Sequence, residues 1–390
     1  MGCHLLKLKY SLLNLRYIFL FLFTLIPAEE IFAQDKPGFI RRFIQKSISD
    51  TTSPGKSSFR IYPTLAYAPE TSFEFGFSSL FLFQAKQDSL NRLSEVQAFT
   101  FITLEAQYGI WLDNAIYGDK DKWFILGRTR FQRFPLLYYG IGPETNGKEP
   151  ALIDANYLLL RQRVLRKIIP NLFLGPEIDY QQLYNTHFNQ PEGHDVYEPP
   201  LGSHGTRNIG LGAALVFDNR HNVLNVRKGF FGEISFLKYN EKLGSDYNFH
   251  GFNLDVRSSH KTNDRNVLAW QVLGNFMTGN IPFNQLALMG GEMISRGFYS
   301  GRYRDKNMLA VQAEHRWLPF SFSKRIGGAV FAAAAVVAPQ VSAFSWKHIR
   351  PSGGVGLRYL LFPKKDIFLR LDVGFTKEGP GFYLFTGEAF

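Results

Sequence analysis

Nine histidines, one cysteine and a surplus of 44 Lys+Arg over 33 Asp+Glu bound the chemistry open to this chain. His187, His194 and His204 share one stretch with Glu192 and Asp195. Zinc sites use tight, fixed ligand spacings, and histidines seven and ten residues apart match none of them, so the stretch reads as a solvated loop. A hydrolytic Ser–His pair needs a third residue to orient it, and no local signature supplies one. The expectation is a protein without catalytic residues, metal or cofactor. Cys3 has no partner, which excludes a disulfide scaffold.

The elements that must position any remaining site begin after an export signal. Lys7, Lys9 and Arg16 precede an apolar run from Tyr17 to Ile26, which Pro27 breaks, and Ala33 stands at the expected cleavage point before Gln34. Residues 1–33 are therefore read as a signal peptide; cleavage there takes the net charge from +11 to +10 and removes Cys3. Residues 34–58 form a short leader. Phe39, Ile40, Phe43, Ile44 and Ile48 fall on one helical stripe, read either as a short amphipathic helix on the membrane surface or as a flexible leader. No later apolar run reaches the ~18–20 residues of a spanning helix, and the mean hydropathy is −0.13.

From residue 59 to 390 the period is two. Strands are predicted at 59–68, 72–83, 95–105, 107–117, 122–133, 155–165, 171–183, 206–217, 229–239, 246–257, 265–278, 307–317, 326–338, 352–361, 366–375 and 381–390. The even count and the strand lengths suit an all-β, sixteen-stranded transmembrane antiparallel β-barrel. Loop lengths agree. The long gaps 134–154, 184–205, 279–306 and 339–351 each join an odd strand to an even one, whereas 118–121, 166–170 and 362–365 are short turns at the other end. A soluble sandwich has no reason to segregate its loops in this way. Trp111, Trp123, Tyr138, Tyr139, Trp317 and Trp346 near strand ends are expected to form interfacial girdles. Basic residues spread over the strands point to lipopolysaccharide contact and a charged interior, and away from nucleic acid. The alternating segment from Phe382 through Leu384 and Gly387 to Phe390 reads as an assembly signal, recognised by barrel assembly machinery as an added strand.

Gly290-Gly291-Glu292-Met293-Ile294-Ser295-Arg296-Gly297-Phe298, in the loop between predicted strands 11 and 12, resembles the signature of the BamA/TamA-like outer-membrane assembly and translocation barrels, also called bacterial surface antigen barrels. Tyr67 to Thr71, Tyr139 to Gly142, Asp218-Asn219-Arg220 with Gly229, Gly354 to Tyr359 and Phe382 to Phe390 match in order. The resemblance implies that the sixth outer loop folds into the lumen, with Ser295, Arg296, Gly297 and Phe298 as its motif and Glu314 as the partner of Arg296. Ala333 stands where the family carries an acid, so the pairing is expected to rest on Glu314 alone. The short leader is expected to leave no room for the periplasmic capture domains of the family.

The function implied is insertion or translocation of polypeptides, or of lipids, through a seam between strand 1 (59–68) and strand 16 (381–390). Two alternatives are an accessory scaffold barrel without insertase activity and a passive pore. The expected setting is the cell outer membrane, with lipid, lipopolysaccharide, client barrels or accessory subunits as partners.

Overall fold

The computed structural model describes residues 57–390 apart from 89, 134, 146, 148, 192–196, 221–224 and 364–365. The signal peptide, the leader helix, His194, Glu192 and Asp195 lie outside the described residues. Sixteen strands form one antiparallel barrel: β1 Ser58–Ala68, β2 Ser72–Gln84, β3 Leu93–Thr103, β4 Tyr108–Tyr117, β5 Trp123–Arg133, β6 Ala151–Ile169, β7 Leu172–Asn189, β8 Thr206–Asp218, β9 Gly229–Tyr239, β10 Phe249–Lys261, β11 Asn266–Gly279, β12 Asn307–Trp317, β13 Ile326–Ala338, β14 Arg350–Phe362, β15 Ile367–Thr376 and β16 Gly379–Thr386. A short piece, Leu136–Tyr138, continues β5 along β6. Each strand pairs with its neighbours in sequence, and β1 returns to β16.

This topology follows from the solvent. Hydrocarbon offers no partner to a backbone N–H or C=O, so a spanning sheet must close on itself. The alternation then sorts side chains. Phe75, Phe77 and Phe81 of β2 face outward and are exposed, while Glu74, Ser78 and Leu80, on the opposite parity, are buried inside. At one end of the lumen Tyr117 stacks on Phe124 at 4.3 Å, with Phe173, Leu165 and Val216 around them.

Three expectations need correction. β6 and β7 run to 19 and 18 residues, well past the predicted 155–165 and 171–183. Their outer ends pair beyond those bounds, where polar residues such as Asp154 and His187 face water at no penalty. Tyr138, Tyr139 and Trp111 are not girdle residues. The two tyrosines are buried at 3 % and 8 % exposure, Tyr138 against Ile153 and Phe283, and Trp111 packs inside on Phe101 and Arg130. Finally, β16 stops at Thr386 instead of running to Phe390.

Candidate functional site

The long connection between β11 and β12, called loop 6 below, is a folded element. A two-stranded hairpin, Ala287–Met289 with Tyr303–Asp305, closes its base. Between the two arms the chain turns on Gly290, Gly291, Ser295, Gly297 and Gly301, all at positive φ. Phe298, at 1 % exposure, packs edge-on to Tyr303 in a cluster with Met289, Ile294 and Met308.

This fold drives the Arg296–Gly297 backbone onto β15 and β16. Gly374 and Gly381 are cross-strand partners there, and a Cβ on Gly374 would lie 2.5 Å from the Arg296 carbonyl. Gly297, at φ +111°, admits no side chain either, since a Cβ would meet Thr376 Cγ2 at 2.6 Å. Backbone packs on backbone here because three glycines face one another.

The Arg296 guanidinium then reaches two carboxylates at once. Its Nη2 donates to Glu314 Oε2 on β12 and its Nη1 to Asp372 Oδ2 on β15. All three side chains are fully buried, and the guanidinium lies 3.5 Å above the Phe331 ring of β13. Buried charges survive only when paired and hydrogen-bonded, and a planar fork meets that need for two acids together. The pairing therefore does not rest on Glu314 alone. Asp372, three strands away, supplies the second carboxylate.

The cluster extends further. Arg358 on β14 donates to Asp372 Oδ1 at 2.5 Å, to Glu314 Oε1 at 2.9 Å and to both oxygens of Glu388 at 3.0–3.1 Å. Arg316 donates to Glu314 Oε1 at 2.9 Å, and Arg370 to Asp372 Oδ2 at 3.0 Å. Gly354 and Gly356 of β14 make room for it, since a Cβ on the second would sit 2.1 Å from Asp372 Oδ1. Sequence reasoning had not singled out Asp372, Arg316, Arg358, Arg370 or Glu388. The signal for the strand residues was available: charges at alternate positions of a membrane strand, as in Arg370-Leu371-Asp372, must share the lumenal face.

Loop 6 also touches both strands of the closing seam. The Gly297 amide donates to Tyr383 Oη of β16 at 2.9 Å, and that hydroxyl donates to the Phe298 carbonyl at 3.2 Å. On the other side, the Ser300 amide donates to Glu70 in the β1–β2 turn. Burial, reinforced by the nearby Glu292 carboxylate, pushes the Glu70 carboxyl up to about 8. The seam itself is thin. β1 pairs with β2 along its whole length, from Ser58↔Leu82 to Ala68↔Ser72, and β15 with β16 from Leu369↔Thr386 to Thr376↔Gly379. Among the described residues, one register pair is formed between β1 and β16, Tyr67↔Leu384.

Of the remaining sequence candidates, Ser295 is fully buried within the loop. Phe382 and Leu384 lie on β16, and Gly387 and Phe390 fall beyond its end. His187 sits on β7 opposite Asp154, and His315 meets Trp317 edge-on at 4.6 Å on the face opposite Glu314. The lumen beside loop 6 keeps a cavity of about 620 Å³, walled by Arg128, Arg130, Arg161, Arg163, Glu233 and Glu292 among others.

No curated protein matches the sequence. The fold is similar to a solved BamA from Haemophilus ducreyi lacking POTRA domains 1–3, at TM-score 0.52 and 15 % identity, over 85 % of this chain and 70 % of that one. It is also similar to CdiB from Acinetobacter baumannii, at TM-score 0.51 and 10 % identity, over 90 % of this chain and 69 % of that one. The Omp85 superfamily domain matches residues 154–390, which include loop 6, its arginine and the carboxylates that receive it. The chain belongs to the Omp85 superfamily, a family of outer-membrane β-barrels that insert or translocate other molecules.

Proposed function

We propose that this barrel inserts or translocates polypeptides by parting β1 from β16, and that loop 6 governs the parting from inside. The observation that carries the reading is the contrast in pairing: full ladders elsewhere, one register pair at the seam. Each cross-strand pair contributes ~0.2–1 kcal/mol, so the seam is the weakest line along which the cylinder can open. An opened seam presents β1 as an unpaired edge, and an unpaired edge templates an incoming extended chain through its own N–H and C=O groups. Loop 6 lying across the lumen favours this reading over a passive pore. The setting proposed is the outer membrane, with lipopolysaccharide and lipid around the wall and client barrels as substrates.

The test is a disulfide across the seam. Tyr67→Cys with Leu384→Cys replaces the one register pair, and the oxidised protein is assayed for assembly of a client barrel in proteoliposomes. Insertion should stop on oxidation and return on reduction. Full insertion by quantitatively crosslinked protein would refute seam opening.

A further inference from the structure

Charge is unevenly shared between the two ends of the barrel. The short turns 85–92, 118–122, 170–171, 219–228, 262–265, 318–325 and 363–366 carry ten lysines and arginines against five aspartates among the described residues. The loops at the other end carry seven lysines and arginines against ten acids among the described residues. At the short-turn end basic groups also stand beside outward-facing rings. Arg166 is the cross-strand partner of Trp123 and lies 5.9 Å from its ring centroid, and Arg325 lies 6.0 Å from that of Tyr359. Trp123 and Tyr359 alternate with the buried Phe124 and Arg358, so both face the lipid.

Charge and apolar surface meet at the β12–β13 turn, 318–325. Val311, His315 and Trp317 belong to the outward column of β12, and the turn prolongs that column past the end of the strand. The Trp317 ring lies 6.2 Å from Phe320, which stacks on Phe322 at 5.1 Å. Phe322 is 82 % exposed. Beside this ladder Arg265 Nη1 donates to the Phe320 carbonyl at 3.1 Å, and Arg325, which follows Lys324, donates from Nη1 to the Leu360 carbonyl at 3.3 Å. None of these three bases makes an ion pair among the described residues; Asp264, next to Arg265, is held by Lys261 at 2.7 Å. Backbone bonds fix the turn to both neighbours. The Leu318 amide donates to the Arg265 carbonyl at 2.7 Å, and the Leu360 amide to the Arg325 carbonyl at 2.8 Å.

We propose that the β12–β13 turn is a seat for anionic phospholipid in the leaflet at the short-turn end. Phe320 and Phe322 enter the boundary between headgroups and acyl chains, and Arg265, Lys324 and Arg325 take the phosphate of the same lipid. A phosphodiester joined to acyl chains matches both things the turn presents at one depth, positive charge and apolar surface. Long basic side chains lay their stems along apolar surface and carry their charge to the headgroup layer. A neutral headgroup answers the rings and leaves the charge unmet. An acidic polypeptide docking from the water meets the bases and misses the rings, which continue the lipid-facing column of β12. The seat stands whichever way the seam opens.

The experiment reads which lipid lies against the turn. Ser321→Cys, in the full chain carrying Cys3→Ser, places a bimane fluorophore beside Phe322. The labelled barrel is reconstituted in phosphatidylcholine vesicles in which a minor fraction is brominated, either as phosphatidylglycerol or as phosphatidylcholine, because bromine quenches only from lipids in contact with the probe. Quenching should report an affinity for phosphatidylglycerol on the order of fivefold above phosphatidylcholine, the worth of about one charge contact at an anionic surface. Arg265→Gln, Lys324→Gln and Arg325→Gln together should bring that ratio to about one. Lys242→Gln with Lys347→Gln, at the other end of the barrel, should leave it unchanged. Phe322→Ser should weaken quenching by both lipids alike. Inorganic phosphate should compete no better than chloride at equal ionic strength, since a free ion brings no acyl chain to the rings. Equal quenching by both lipids in the otherwise unsubstituted barrel, a preference that survives the triple substitution, or specific displacement by free phosphate overturns the lipid seat. Capture of polyglutamate that the triple substitution abolishes, with no lipid preference, overturns it too and assigns the turn to an acidic polypeptide.

Discussion

Removing the Arg296 guanidinium gives the sharpest single test of how loop 6 is held. Arg296→Ala takes away two buried charge-assisted bonds, to Glu314 and Asp372, and the cation stacked at 3.5 Å on Phe331. Breaking a buried ion pair by deleting one partner costs ~3–5 kcal/mol, because the remaining charge is stranded. Here the stranding is partial. Glu314 keeps Arg316 and Arg358, and Asp372 keeps Arg358 and Arg370. Counting side chains alone, the cluster holds four guanidiniums against three carboxylates, so the acids left behind keep cations beside them. The charge loss therefore falls at the lower end of the range. The lost ring contact adds up to ~2 kcal/mol, and relaxation of the loop returns part of that. The net expectation is a loss of about 3 kcal/mol, concentrated in loop 6.

The assay should be local and global together. Hydrogen exchange of the Gly291, Gly301 and Arg302 amides, all bonded within the loop, should accelerate by about two orders of magnitude as the loop detaches. The apparent unfolding midpoint in detergent should fall by roughly 4 °C, read at one scan rate because such unfolding is irreversible. Arg296→Lys should sit about midway, since an ammonium keeps the charge but cannot bridge two carboxylates with one planar fork. An Arg296→Ala protein with wild-type midpoint and fully protected loop amides would refute the claim that this cluster seats loop 6.

Three further outcomes follow from the contacts of the same loop. Glu70→Gln keeps the acceptor for the Ser300 amide and cannot ionise. Since the buried Glu70 carboxyl is raised from 4.5 to about 8, its contribution is fully present below the ordinary carboxylate value and is lost as pH rises through 8. Midpoints measured between pH 6 and 9 should therefore fall more steeply in the wild type than in Glu70→Gln. Gly374→Ala sets a methyl group 2.5 Å from the Arg296 carbonyl and should displace the loop at a cost of at least ~2 kcal/mol, seen as protease cleavage within residues 290–300. Tyr383→Phe removes the hydroxyl that joins the Gly297 amide to the Phe298 carbonyl, keeps the ring, and should cost ~1–2 kcal/mol in the same exchange measurement.

What the sequence made legible is the part of the molecule that hydrocarbon dictates. Outward positions must be apolar and every backbone group must be paired, so the wall repeats with period two; the strands and the inter-strand slot of loop 6 could be read from it. Where water replaces lipid the rule lapses. The outer ends of β6 and β7 carry Asp154 and His187 beyond the predicted strands and still pair, so polarity was mistaken for a loop. Tyr138 and Tyr139 lie where loops cover the strand ends, and aromatic residues there pack inward. Asp372 escaped notice because its partner is 76 residues away, although the inward parity it shares with Arg370 was visible. Glu388 was legible in retrospect. An acid on the lipid-facing parity of Phe382 and Leu384 cannot stay on a straight strand, and the glycine before it permits the turn.

The interior follows a different rule from the wall, and that rule couples distant parts. Glu314 is shared by Arg296 of loop 6 and by Arg316 and Arg358, which also hold Glu388. A carboxylate that loses one of three cations draws harder on the other two, and those arginines also contact Glu388. Detaching loop 6 therefore weakens the hold on residues 387–390. By reciprocity, releasing Glu388 leaves Arg316 and Arg358 to crowd Glu314 and so loosens Arg296 by the same free energy. Loop 6 touches β16 through Tyr383 and the β1–β2 turn through Glu70, so the ion cluster that seats the loop is tied to both sides of the seam. An apolar core would pack the same space without that link, because dispersion contacts are local, whereas a carboxylate between three guanidiniums makes every one of them a neighbour of the rest.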